Sequence, residues 1–302
     1  MAFFKRHTKR GSYDLFSNYA HYLPDLWGML ILLGLFVVGS LLGGLLSGLF
    51  VTLLGPLEHV TLYSQLIAYP VSFIPPLLYA SAMSRRNEFF DKGYALDSDN
   101  FGTKGGVVLA VVVSVATIAA GFVSEPFASL LPDMPEYLKQ ALEAMTGGPL
   151  WACLISVSVM APLFEEWLCR GLVLRGLLKK MGPAWAIVVS AAFFAVLHMN
   201  PWQAVAAFVL GLLFGYVYYR TGSLKLTMLM HCVNNTFSVL MSRIPAFEDA
   251  ETFSDVLSPW AYTGVFAACV VILCCALAVI RAISVKDEKM GGCEEVDPLR
   301  ID

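Results

Sequence analysis

The chain has 302 residues, of which 58% are hydrophobic and 14% are charged. Soluble domains carry about 25% charged residues, so this composition excludes a soluble globular enzyme and predicts a polytopic membrane protein. The net charge of −3 gives no support for nucleic-acid binding. The seven cysteines include no CxxC pair, so neither a disulfide framework nor a thiolate zinc site is indicated.

In chain order, a basic segment over residues 1–25 precedes a series of apolar segments. Eight of them have the length needed to cross a membrane, about 17–25 residues. They cover residues 26–54, 61–83, 105–124, 148–178, 184–201, 203–219, 224–242 and 260–281. The sequence therefore predicts an all-α bundle of about eight transmembrane helices. Its single membrane domain is residues 26–281, followed by a polar tail over 282–302.

Small residues and prolines distinguish the first two apolar segments. Glycines at close spacings allow helices to approach each other, and the first segment contains Gly39, Gly43, Gly44 and Gly48. Proline interrupts the hydrogen bonds of a helix, and the second segment contains Pro70, Pro75 and Pro76. We expect a tightly packed first helix and a kinked second helix.

Basic residues concentrate in alternate loops, which indicates the orientation of the chain. The positive-inside rule places the loops 84–104, 179–183 and 220–225, together with both termini, in the cytoplasm. Arg175 lies near one of these loops and is expected to extend its side chain toward the surface. The acidic stretch 125–147 would lie on the outer side, and its amphipathic part predicts a short interfacial helix.

A charged cluster lies inside the fourth apolar segment. An ionisable residue at the bilayer centre costs roughly 2.5–3.5 kcal/mol, so Glu165, Glu166 and Arg170 would together cost on the order of 9 kcal/mol if unpaired. Glu166 and Arg170 are four residues apart and share a helix face, so they can pair. Glu165 then remains the freer carboxylate, and a carboxylate in this setting suits a general base.

Two histidines lie on neighbouring predicted helices. Phe194 and His198 are four residues apart on the fifth segment, where the ring can fix the rotamer of the imidazole. His231 and Asn235 have the same spacing on the seventh segment, so one face presents an imidazole and an amide. The three segments together carry two carboxylates, two imidazoles and an amide.

The helix rise of 1.5 Å per residue gives the depth of each group. Glu165 and His198 each lie about 22 Å along their helices from the cytoplasmic loop, so they can meet inside the membrane. His231 lies only about 9 Å from its loop, which matches poorly. A re-entrant or deeper start of the seventh helix would correct the mismatch, and Gly222 permits such a start.

Other functions remain compatible with these residues. The histidines, the Glu–Arg pair and the asparagines can each hold helices together without any chemistry. The same groups could form a proton or cation relay in a transporter, or belong to a non-catalytic immunity or scaffold protein that binds a partner in the bilayer. The sequence contains no HExxH zincin motif and no GxSxG motif of a serine hydrolase.

Three motifs in a fixed order resemble one known family. The motifs are EExxxR at Glu165, FxxxH at Phe194 and HxxxN at His231. Their succession on three membrane helices resembles the CPBP family, which comprises the type II CAAX prenyl endopeptidases and the bacteriocin-processing and immunity proteins, also called the Abi family. The resemblance covers about residues 145–245, which would form the catalytic core.

The resemblance implies an intramembrane endopeptidase with a cavity open to one membrane face. Glu165 and His198 would activate a water molecule, while His231 and Asn235 would hold the oxyanion or complete the water site. Glu166 would share the proton load, oriented by Arg170. The family is commonly classed as metalloprotease, so a Zn²⁺ ion on Glu165, His198 and His231 is an expectation. The partners would be the lipid bilayer and a membrane-anchored or lipidated peptide substrate.

Overall fold

A computed structural model describes residues 16–55, 57–89, 93–97, 106–128, 130–146, 148–247, 250 and 252–282. The basic residues before 16 and the tail after 282 lie outside this described part of the chain. Within it, the secondary structure consists of helices and contains no strand, which confirms the all-α prediction.

Ten α-helices make up the described fold. We number them α1 Leu26–Leu54, α2 Glu58–Asn87, α3 Gly106–Ala128, α4 Glu136–Thr146, α5 Leu150–Leu178, α6 Pro183–Leu197, α7 Pro201–Thr221, α8 Leu224–Met241, α9 Phe253–Val256 and α10 Pro259–Ala282. The helix predicted within 125–147 is confirmed as α4.

Six of the described helices are long and apolar enough to cross a membrane: α1, most of α2, α3, α5, α7 and α10. The chain is therefore a multi-pass integral membrane protein. The other two predicted spans are helical but differ in kind: α6 has 15 residues, and α8 has 18 residues that include His231 and two asparagines. The total of eight spans and the cytoplasmic termini stay predictions.

Helices α1 and α2 pack as a close pair. A Cβ atom added at Gly39 would lie 2.3 Å from the Ser72 carbonyl oxygen, and one added at Gly43 would lie 2.6 Å from that of Ala68. Glycine is therefore required at both positions. Gly44 and Gly48 face open space, so the packing prediction holds for two of the four glycines. Helix α2 continues through all three of its prolines.

Helix α5 lies at the centre of the bundle. From Trp167 to Leu178 every residue is buried, and α5 packs against α2, α6, α7 and α8. Two stretches, Leu154–Met160 and Trp167–Leu174, have π-helical hydrogen bonding. The α-helical turn between them, Ala161–Glu166, carries both glutamates. Helical stretches of this rare kind are frequent at functional sites.

The expectation for Arg175 is wrong. Its side chain has no exposed surface, and its guanidinium donates hydrogen bonds to five backbone carbonyls. These acceptors are the oxygens of Tyr19, Ala20, Tyr22, Tyr94 and Gly171. The segments 16–25 and 93–97 therefore fold over the end of α5 and enclose the arginine instead of leaving it a path to the surface.

Candidate active site

The pair of Glu166 and Arg170 is confirmed and fully buried. Arg170 Nη1 donates to Glu166 Oε1 over 2.7 Å, and both side chains have 0% exposure. Arg170 Nη2 also donates to the Gly211 carbonyl over 3.1 Å. The guanidinium carbon lies 4.5 Å from the ring centroid of Phe194 and 5.3 Å from that of Phe214. The ion pair, the hydrogen bonds and the cation–π contacts together compensate the free-energy cost of removing the guanidinium from water.

Glu166 also fixes the ring of His231. His231 Nδ1 lies 3.1 Å from Glu166 Oε1. An ionised carboxylate only accepts hydrogen bonds, so Nδ1 carries the proton and donates it. In a neutral ring the other nitrogen, Nε2, is then an acceptor. Nε2 lies 4.0 Å from Glu165 Oε2.

A backbone carbonyl fixes the tautomer of His198 in the same way. Its Nδ1 lies 2.9 Å from the Phe194 carbonyl oxygen, which can only accept, so Nδ1 is the donor. Nε2 of the neutral ring is again an acceptor, and it too lies 4.0 Å from Glu165 Oε2. Helix α6 ends at this histidine because Met199 adopts a left-handed conformation with φ of 48°, which is uncommon outside glycine.

Glu165 is the point on which these groups converge. Its Oε1 accepts a hydrogen bond from the Tyr69 hydroxyl over 2.5 Å. Its Oε2 is buried and has no hydrogen-bond partner, although it faces both imidazoles. The side chains of Glu165 and His198 are 13% and 21% exposed, so the edge of the cluster lies at the protein surface while Oε2 itself is covered.

Phe194 packs against both imidazoles. Its ring is edge-on to His198, with centroids 5.0 Å apart, and edge-on to His231, with centroids 5.4 Å apart. The contact with His198 follows from the spacing of four residues, as predicted. The contact with His231 joins two helices, and spacing along the sequence gives no sign of it.

His231 reaches the cluster because α8 begins inside the protein. Ser223 and Leu224 are completely buried, and Asp97 Oδ1 accepts hydrogen bonds from the backbone N–H groups of Leu224 and Lys225 at 2.8 and 3.2 Å. Gly222 takes the left-handed conformation that this start requires. The burial of this start agrees with the deeper start that the depth argument called for, and its depth in the membrane stays a prediction.

Asn235 lies one turn beyond His231 but bonds elsewhere. Its Nδ2 donates to the Val157 carbonyl over 2.7 Å, and its Oδ1 accepts from Asn234 over 3.0 Å. In the first π-helical stretch of α5, Leu154–Met160, each N–H donates to the carbonyl five residues earlier, as Ala161 N–H does to the Ser156 carbonyl. The next donor, the one for Val157, would be Pro162, which has no N–H. Asn235 supplies the missing hydrogen bond.

The structure thus brings five of the six candidate residues together: Glu165, Glu166, Arg170, His198 and His231. The sixth, Asn235, is on the same helix face as His231 and is held by the π-helical part of α5. Sequence reasoning missed Tyr69, because a tyrosine in a membrane helix is more typical of an aromatic belt. It also missed Asp97, which lies in a loop that no motif marks.

The candidate zinc ligands are close together but not at ligating distances. Among the described residues, no group of three His, Cys, Asp or Glu side chains is placed so that it could hold a metal ion. The two imidazole Nε2 atoms are each 4.0 Å from the carboxylate oxygen, whereas ligand atoms of a tetrahedral zinc site lie about 3.4 Å apart. The three residues fit zinc in their chemistry, with a spacing about half an ångström too wide.

The fold and this cluster define a membrane-embedded protein with a buried carboxylate–imidazole site. Residues 147–237, which include all six candidates, match the sequence model of the family described as type II CAAX prenyl endopeptidase Rce1-like. A stretch of 110 residues, 36% of this chain, is 26% identical to "Putative membrane peptidase YdiL" of Bacillus subtilis (strain 168).

The matched stretch spans 44% of the length of that relative. No solved structure matches the chain. The family match and this relative agree with the resemblance to the CPBP family that the three motifs indicated.

Proposed function

We propose that this protein is an intramembrane endopeptidase that hydrolyses peptide bonds of membrane-associated substrates with an activated water molecule. One observation carries the proposal: the free oxygen of Glu165 is buried and lies 4.0 Å from Nε2 of both imidazoles. Two hydrogen bonds of about 2.8 Å that meet at one oxygen atom can span this distance. A water molecule at this point would touch the base and at least one imidazole.

Glu165 is the general base in this proposal. It removes a proton from the water as the water oxygen attacks the carbonyl carbon of the scissile bond. The tetrahedral intermediate carries a negative oxygen that needs hydrogen-bond donors. As the C–N bond breaks, the proton held by Glu165 passes to the leaving amine, and the water oxygen remains in the new carboxyl group.

The imidazoles supply the donors once one of them is protonated. Glu165 Oε2 and the two Nε2 atoms are all acceptors when both rings are neutral, and one water has only two hydrogens. The oxyanion needs a donor, which an imidazole provides from Nε2 only when both of its nitrogens carry protons. An imidazolium of His198 or His231 would stabilise the oxyanion. The second N–H of the Asn235 amide is the further donor that the family resemblance implies.

Glu166 and Arg170 hold His231 in place. Carboxylates that accept from Nδ1 fix the tautomer and the orientation of a histidine. Arg170 pairs with Glu166 and balances the carboxylate charge away from water. We assign these two residues to positioning and to the charge balance of the site.

Zinc is the metal that these residues would hold. Two imidazole nitrogens and one carboxylate oxygen form the donor set of a catalytic zinc site, and Glu165, His198 and His231 would provide it here. Bound zinc would polarise the water and the substrate carbonyl. Metal content of the purified protein, and cleavage before and after treatment with a chelator, distinguish a metal-assisted from a metal-free reaction.

The test uses peptides that carry a prenyl or acyl anchor, in liposomes containing the purified protein, with mass spectrometry to detect cleavage. The wild type should cleave at least one such peptide. Glu165→Gln should be inactive, while Glu136→Gln, on the exposed face of α4, should keep full activity. Cleavage retained by Glu165→Gln would contradict the proposal. Proton or cation flux without cleavage would favour a transporter instead.

A further inference from the structure

The site contains a residue from outside the family-matched segment. Tyr69 belongs to α2, 96 residues before Glu165, and its hydroxyl donates to Glu165 Oε1 over 2.5 Å. The matched segment begins at residue 147. The carboxylate at the centre of the site is therefore held by a helix that the family motifs do not include.

Aromatic packing sets the position of this hydroxyl. Phe73, one turn after Tyr69, has no exposed surface. Its ring is stacked on Phe164, with centroids 5.4 Å apart and an interplanar angle of 21°. The ring centroid of Tyr69 lies 5.4 Å from that of Phe73. Because Phe164 precedes Glu165 in the chain, this stack aligns α2 with the turn of α5 that carries the carboxylate.

A carboxylate without such a contact has little to fix its orientation. The last torsion of a glutamate side chain is broad, so the plane of the carboxylate could otherwise rotate away from the imidazoles. The Tyr69 hydroxyl occupies Oε1 and leaves Oε2 toward His198 and His231. A hydrogen bond from a neutral donor to an ionised acceptor is also stronger than one between neutral groups.

We propose that Tyr69 is a positioning residue of the active site, which acts by holding the Glu165 carboxylate so that Oε2 faces the reacting water. The inference rests on the proposed function. It assigns Tyr69 no contact with the substrate, so loss of the hydroxyl should slow the chemical step and leave substrate binding unchanged.

The experiment compares Tyr69→Phe with the wild type on an anchored peptide that the wild type cleaves. The variant keeps the ring and its contact with Phe73, and it removes only the donor. Groups that orient a catalytic ligand typically contribute 10- to 100-fold to activity, so we expect kcat to fall about 10- to 100-fold with KM unchanged. Tyr63→Phe is the matched control, because Tyr63 lies on the same helix and is 48% exposed.

The possible outcomes distinguish the proposed function from the role of Tyr69. A wild type that cleaves no anchored peptide contradicts the proposed function and, with it, the role of Tyr69. An active wild type with an unchanged kcat in Tyr69→Phe, or with a change in KM alone, overturns the role of Tyr69 and leaves the proposed function intact. A Tyr69→Phe protein that fails to fold would also overturn it, because the hydroxyl would then serve the fold rather than the site.

Discussion

Two arginines of α5, five residues apart, are both completely buried, yet their surroundings differ. Arg170 donates to a carboxylate and lies against two aromatic rings. Arg175 donates to five backbone carbonyls, four of them from segments outside α5. A buried charge can thus complete a reactive cluster or fasten distant parts of the chain. Exposure alone does not distinguish the two uses.

The comparison predicts different consequences for the two arginines. Loss of Arg170 should damage the site and leave a partner carboxylate that a second replacement can neutralise. Loss of Arg175 leaves carbonyl groups of the backbone, which no side-chain replacement can remove.

Arg175→Met should cause the largest loss of stability. The carbonyls of Tyr19 and Ala20 keep a backbone donor. Each acceptor left without a donor costs about 1–3 kcal/mol, so the remaining carbonyls, among them those of Tyr22 and Tyr94, should together cost on the order of 5 kcal/mol. Thermal unfolding of the purified protein in detergent measures the effect. Arg86→Met, at an exposed position of α2, is the control and should unfold like the wild type. A small shift for Arg175→Met would show that segments 16–25 and 93–97 do not depend on this side chain.

Arg170→Met should cost about 3–5 kcal/mol, because it leaves the Glu166 charge buried and unpaired. The double variant Glu166→Gln with Arg170→Met should regain most of this stability, since a removed ion pair is often neutral for folding. Its peptidase activity should stay about 10- to 100-fold below that of the wild type, because the His231 ring loses its carboxylate. A double variant with wild-type activity would contradict the role given to Glu166.

Asn235→Ala should cost about 1–3 kcal/mol, because the Val157 carbonyl loses its donor. Adding Pro162→Ala supplies a backbone N–H at the position that the π-helical pattern requires, so part of the stability should return. Unfolding and cleavage are measured on the same preparations. If activity returned together with stability, Asn235 would serve only the helix, and its assignment as an oxyanion donor would be wrong.

Ser190→Ala should have the smallest effect. The Ser190 hydroxyl donates to the Cys169 carbonyl over 3.1 Å in the second π-helical stretch of α5, and one such hydrogen bond contributes about 1 kcal/mol. Ser114→Ala is the matched control, since its hydroxyl bonds within its own helix and its loss should be close to neutral. Equal unfolding temperatures for the two variants would show that α5 needs no external donor at this point.

Short-range spacing predicted much of the site. The Glu166–Arg170 pair and the Phe194–His198 contact both follow from side chains four residues apart on one helix face. The meeting of Glu165 and His198 followed from equal depths on two helices. Phe194 and His198 lie on a regular helix and at its end. Arg170 lies in the second π-helical stretch of α5 and still meets Glu166 one turn away.

The features that escaped prediction depend on irregular backbone or distant packing. Asn235 bonds to Val157 because α5 is π-helical at a proline, and a regular helix would place the orphan carbonyl one residue later. Arg175 is enclosed by two segments far away in sequence. Tyr69 reaches Glu165 through a stack of rings between two helices. None of these contacts leaves a periodic signal in the sequence.

The most direct test of the central claim, that Glu165 and the imidazoles act as one unit on a water molecule, is single-turnover cleavage by Glu165→Gln, His198→Ala and their double variant. Residues that act as a unit show non-additive losses. We predict that each single variant loses nearly all of the cleavage rate and that the double variant is no slower than the single variants. A double variant whose loss equals the product of the two single losses, or a Glu165→Gln protein at the wild-type rate, would contradict the claim.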